Sequence, residues 1–245
     1  MPHIEIAAEK LFSLWGMPFT NTLIASWIVT GGLIIVARLL ARTVQLVPTG
    51  VQNVFEFVIE KFLGVMETLF GSRKAAEKYL PLVVTAFLFI LLSNWFGIFP
   101  GVGSIGFLEK RGGETLFVPL LRSAASDLNV TLALATVTVF AIHLSAVSAL
   151  GLRAHLSKFL SFKGPIEFFV GILELISEFA KIVSFSFRLF GNIFAGEVLL
   201  VVTSSLVPFM APIPFLMLEL FVGFIQALVF AMLTMVFLSI AVTHD

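Results

Sequence analysis

The chain has 245 residues, of which 59% are hydrophobic and only 12% charged, about half the charge of an ordinary soluble domain. Its mean hydropathy of +1.08 and its repeated apolar runs of about 20 residues identify an integral membrane protein of the all-α class. A net charge of zero excludes a global basic field for nucleic acid, and the lack of cysteine excludes disulfides, thiolate metal sites and thiol nucleophiles.

In chain order, 1–14 reads as a short amphipathic lead-in without the basic stretch and small-residue cleavage site of a signal peptide. The first span is expected at about 21–40, with Arg38 and Arg42 at its end. Pro48 opens a segment to about 71 in which Glu56, Glu60, Lys61 and Glu67 interrupt apolar residues, a pattern suited to a helix lying on the membrane surface. A second span is expected at about 80–99, stopped by Pro100 and Gly101, and then a polar loop with Glu109, Lys110, Arg111 and Glu114 as far as Asp127. The third span, about 128–152, is followed by Arg153, His155, Lys158 and Lys163, and Gly164-Pro165 breaks the chain.

From 166 to 206 no proline occurs, and the stretch reads as one helix. At ~1.5 Å per residue it is about twice as long as the hydrocarbon layer is thick, so it must tilt, bend or protrude. Pro208, Pro212 and Pro214 mark a turn, and 215–242 is a second long helix, antiparallel to the first. We therefore expect one membrane domain over 1–245, with about five inserted helices and one amphipathic surface helix. Lys/Arg clusters after the first and third spans assign those ends to the cytoplasm, with the N-terminus outside and the C-terminus inside.

Arg188 lies within the apolar penultimate helix. An arginine near mid-bilayer costs about 2.5–3.5 kcal/mol on insertion scales and cannot escape by deprotonating. It is either a functional charge or one that snorkels or neutralises a buried acid. Glu174, Glu178, Lys181, Ser184, Arg188 and Asn192 follow at steps of 4, 3, 3, 4 and 4, which keeps them on one helical face. Such a stripe lines an aqueous path or faces a charged partner, or it is an intrahelical ladder with Glu178–Lys181 as one pair. Glu197 lies on the opposite side of the helix from Arg188.

On the last helix Glu219 and Gln226 share a face, and in an antiparallel hairpin Glu219 falls level with Glu197, and Gln226 with Arg188. The two carboxyls are a point of access for protons or cations, or simply wet interfacial groups. Gln226 is a site residue or interhelical hydrogen-bond glue. Asp127 caps the third span or lines a vestibule, and His143 reads as an interhelical contact. No phosphate-cradling glycine loop, metal motif or Ser/His/Asp set appears, so no cofactor, metal or catalytic residue is expected.

The run Ser186-Phe187-Arg188-Leu189-Phe190-Gly191-Asn192 with Ala195-Gly196-Glu197 resembles subunit a of the F-type ATP synthase. Ile225-Gln226-Ala227-Leu228-Val229-Phe230, Asp127-Leu128-Asn129-Val130-Thr131 and Ser93-Asn94-Trp95 extend the resemblance over most of the chain. It implies a stator whose two long helices lie against a ring of c subunits, with b subunits of the peripheral stalk, the rest of the F1Fo complex and the lipid bilayer as its other partners. Two offset half-channels would carry H+, or Na+ if the ring's own site selects it. Arg188 would face the ring carboxylates, with Asn192 and Gln226 near it. Glu197 and Glu219 would belong to the outer half-channel, and Glu174, Ser177 and Lys181 to the inner path. The membrane would be a bacterial inner membrane or an organellar energy-transducing one. A self-contained channel or secondary transporter is the alternative, although the repeats and broken helices of such proteins are missing.

Overall fold

The computed structural model describes residues 8–14, 17–99, 101–103, 105–111, 114–159, 164–207 and 210–242, with the backbone only for 109–111 and 114–117. Pro100, Lys163 and Pro208, the first seven residues of the lead-in and the last three of the chain lie outside the described residues. So do the side chains of Glu109, Lys110, Arg111 and Glu114.

The described chain runs β1 (Lys10–Leu14), β2 (Met17–Thr20), α1 (Asn21–Arg42), α2 (Val51–Phe70), α3 (Arg73–Ile98), β3 (Gly106–Arg111), β4 (Glu114–Pro119), a 3-10 turn (Ala124–Ser126), α4 (Leu128–Leu150), α5 (Leu152–Phe159), α6 (Pro165–Leu206) and α7 (Pro212–Val242). The body is thus helical, and α1, α3, α4 and α7 are each long and apolar enough to cross a membrane. α6, at 42 residues, differs from them in carrying Glu167, Glu174, Glu178, Lys181, Arg188 and Glu197.

Local chemistry sets the ends. Thr20 Oγ1 accepts from the Leu23 N–H to cap α1, and Asp127 accepts from the Asn129 N–H at 2.9 Å to cap α4. Gly71 closes α2 at φ 64 and Gly151 separates α4 from α5 at φ 86, both in conformations that an L side chain resists. Pro165 opens α6 at a position where its missing N–H costs nothing. Pro212 and Pro214 lie in the first turn of α7 rather than in the preceding turn, for the same reason.

Two antiparallel hairpins, β1–β2 and β3–β4, occupy stretches read as a lead-in and a polar loop. α3 starts at Arg73, seven residues before the apolar run at Leu80, because helix continues through a basic segment that hydropathy alone treats as loop. The third apolar run ends at Gly151, and the basic segment after it forms a separate short helix, α5.

α7 packs on α3, α4 and α6, and α6 on α4 and α5. The shared core includes Met66, Val83, Ile90, Ala135, Phe230 and Met235, all buried. Its small residues let the helices approach closely, as membrane interfaces require. The apolar stripe of α2 (Phe62, Met66, Phe70) is buried against α3 and α7, and Ser239 Oγ donates to the Leu69 carbonyl at 3.0 Å. The outside of the bundle is apolar too: Trp27, Ile35, Phe140 and Phe179 are exposed, as befits lipid or a protein partner.

Candidate functional site

The polar side chains of α6 fall into three groups, because what packs on the helix changes along its length. In the middle, Ser184, Arg188 and Asn192 are exposed on a face that no other helix covers, and Ser177, Gly191 and Ala195 extend it. The Arg188 Nη2 donates to Ser184 Oγ at 3.4 Å. Among the described residues Arg188 belongs to none of the ion pairs, so the bundle presents it rather than neutralising it. Asn192 Nδ2 donates to Gln226 Oε1 at 2.6 Å, which joins the exposed row to α7. Gln226 is itself buried, with its Nε2 unpartnered.

A second group sits where α6 nears its C-terminal end. Arg122, from the segment before α4, donates to Glu197 Oε2 from Nε at 2.9 Å and from Nη2 at 2.7 Å. Two donors on one carboxylate oxygen make a strong, oriented pair, shielded by its surroundings at 13% and 23% side-chain exposure. Glu219 of α7 is buried, its Oε2 lacks a partner, and its carboxyl rests on Gly196. A methyl group at Gly196 would stand 2.8 Å from Oε1 and 3.0 Å from Cδ. The hairpin therefore brings Glu219 against the neighbour of Glu197, as their similar distances from the turn imply.

Asp127 is also at this end. Besides capping α4 it accepts from Thr22 Oγ1 at 2.9 Å, tying the start of α1 to the start of α4. It lines a cavity of about 530 Å³ with Thr20, Ser26, Thr30 and Asn129.

The third group lies at the opposite end of α6. Glu178 accepts from Lys181 Nζ at 2.7 Å, Glu174 pairs with Lys158 of α5 at 3.0 Å, and Lys181 also stands 4.7 Å over the Phe237 ring. His143 of α4 approaches Glu178 Oε2 at 3.4 Å and His155 of α5 at 3.2 Å. Burial, and after it the charge of His143 and Lys158, holds the His155 imidazole below its ordinary value. These residues line a cavity of about 590 Å³. The stripe of regular steps is thus continuous along α6, but Glu174 and Glu178 turn toward α5 and α4 and Lys181 toward α7, while Ser177, Ser184, Arg188 and Asn192 stay open.

Two partners were missed at the level of sequence. Arg122 lies in the stretch expected as a polar loop, and nothing local marks a pairing across 75 residues. His155 looked like part of a basic cluster, because its helix α5 was not expected.

Residues 23–239 match the protein family described as ATP synthase A chain. The chain is 36% identical over 209 residues to the ATP synthase subunit a of Campylobacter jejuni (strain 81-176), covering 84% of this chain and 83% of that protein. It is 32% identical over 239 residues to the ATP synthase subunit a of Moorella thermoacetica, covering 98% and 97%.

Proposed function

The chain belongs to the ATP synthase A chain family, that of ATP synthase subunit a, and from that premise we propose that it forms two offset half-channels leading to and from the carboxylates of a c-subunit ring. As a membrane subunit of the F1Fo complex it couples proton flow to ATP synthesis, or in reverse to ATP-driven pumping. The observation that carries the half-channel reading is the uncovered row Ser184, Arg188, Asn192 on α6, flanked by polar groups at the two ends of the same helix.

Electrostatics supplies the mechanism. A ring carboxyl that faces lipid must be neutral, since a bare charge there is costly. Beside Arg188 the carboxylate form is favoured, so the proton leaves at this point of the turn. Arg188 also bars a straight leak between the two paths, because guanidinium does not give up its proton. A membrane potential adds about 2.3 kcal/mol per charge per 100 mV and so biases the direction of rotation.

Glu197, Glu219 and Asp127 serve the half-channel at the α6–α7 turn, Glu174, Ser177 and Lys181 serve the other, and Asn192 and Gln226 stand beside the ring-facing arginine. The b subunits hold the chain in the stator. The membrane is a bacterial inner membrane, with the N-terminus outside and the C-terminus in the cytoplasm, and the ion is the proton.

The chain has no native cysteine, so single cysteines test the docking face cleanly. Ala195→Cys and Ser184→Cys should form disulfides with cysteines set in the outer helix of the ring, whereas Ile35→Cys, exposed on α1, should not. Cross-linking from Ile35→Cys alone would refute this docking.

A further inference from the structure

The scheme above uses Glu174, Ser177 and Lys181 but leaves two histidines idle. His143 Nδ1 lies 3.2 Å from His155 Nε2, and His143 Nε2 lies 3.4 Å from Glu178 Oε2. Three titratable side chains from α4, α5 and α6 thus form a continuous line. His143 and Glu178 are shielded without being sealed, at 27% and 16% side-chain exposure. Among the described residues the neighbouring charges are paired: Lys181 holds Glu178, Lys158 holds Glu174, and α7 contributes Phe237, Ile240 and Ala241 to the cavity without charge. The adjoining cavity of about 590 Å³ has room for several water molecules, at ~30 Å³ each.

We propose that His143 and His155 are a two-imidazole proton relay that gathers protons at this end of the bundle and delivers them to Glu178. The inference rests on the half-channel reading above. With both rings neutral, His155 Nδ1 takes a proton from the cavity. His155 then gives its Nε2 proton to His143 Nδ1, and His143 gives its Nε2 proton to Glu178 Oε2. One proton enters, one leaves, and both rings end neutral with the tautomers exchanged; exchange of each ring proton from Nδ1 back to Nε2 through water in the cavity resets the chain. The 3.4 Å contact shortens to hydrogen-bond length with a small turn of the imidazole, as relay contacts do when loaded. The lowered affinity of His155 for protons keeps its ring neutral near pH 7 and able to accept.

The test is ATP-driven proton uptake by reconstituted F1Fo across about pH 6 to 8.5, the range in which histidine changes charge. The variants are His155→Gln and the double variant His143→Gln with His155→Gln, with ring retention checked. The relay predicts near-normal uptake at about pH 6, where protons are plentiful, and an alkaline limb shifted to lower pH. The expected loss at about pH 8 is about tenfold, less than the usual worth of a positioned acid–base group because water in the cavity gives a second route. A loss that is uniform across pH would reduce the pair to a structural contact and overturn the relay, as would an unchanged profile. If the double variant loses the ring, His155→Gln decides by the same criterion, since it alters only the short peripheral helix α5. Arg188→Ala separates the two levels. If it abolishes pumping while the histidine variants keep a wild-type profile, only the relay fails; if it pumps normally, the half-channel reading fails with it.

Discussion

Arg122 and Glu197 make the most specific side-chain contact at the α6–α7 end, with two charge-assisted bonds on one oxygen. Removing Arg122 takes both of these bonds from the shielded Glu197 carboxylate. With partial solvent access discounted, Arg122→Gln should cost about 1–3 kcal/mol, read as a lower thermal midpoint of the purified complex. Glu197→Gln in the same background should recover part of that loss, the coupling expected of groups in contact. Gly196 acts differently, because the atoms a methyl group would meet are the end of the Glu219 side chain and can move. Gly196→Ala should therefore assemble normally yet displace the carboxyl and slow proton conduction by up to about a hundredfold, measured as passive flux through the membrane sector. At this scale Arg188 was legible from its cost in an apolar run, and Glu197 and Glu219 from their distance to the turn. Arg122 was not, since a contact between residues far apart in sequence leaves no local spacing to read.

Among the elements, α6 and α7 were legible because their length is written as long proline-free runs bounded by Gly164, Pro165 and the prolines of the turn between them. The hairpins and α5 were not. Each is short, mixes polar with apolar residues, and gains its order from neighbours rather than from periodicity. α5 is seated on α6 by Gly171, where an added Cβ would run into the Phe159 carbonyl, a backbone atom that cannot step aside. Gly171→Leu should push α5 off α6 and separate His155 from His143. The expected readouts are faster proteolysis between α4 and α6 and the same alkaline loss of pumping as His155→Gln, with assembly retained. Normal proteolysis and a normal pH profile would show that α5 does not depend on this contact.

For the whole molecule, membership of the ATP synthase A chain family and, among the described residues, four helices fit to span a bilayer agree with the many large apolar side chains exposed on the outside. Composition announced this directly, because low charge with long apolar runs leaves few alternatives. Which exposed surface meets lipid and which meets a protein partner could not be read from composition, since apolar residues cover both. In the proposed function the uncovered row on α6 is the partner-facing surface, and the proposed mechanism turns on the Arg188 charge within it. The decisive measurement is ATP-driven proton uptake by vesicles carrying the complex with Arg188→Ala, with ring co-purification as the check on assembly. Loss of pumping with the ring retained is the predicted result. Pumping near the wild-type level would reduce Arg188 to a structural charge and contradict the mechanism.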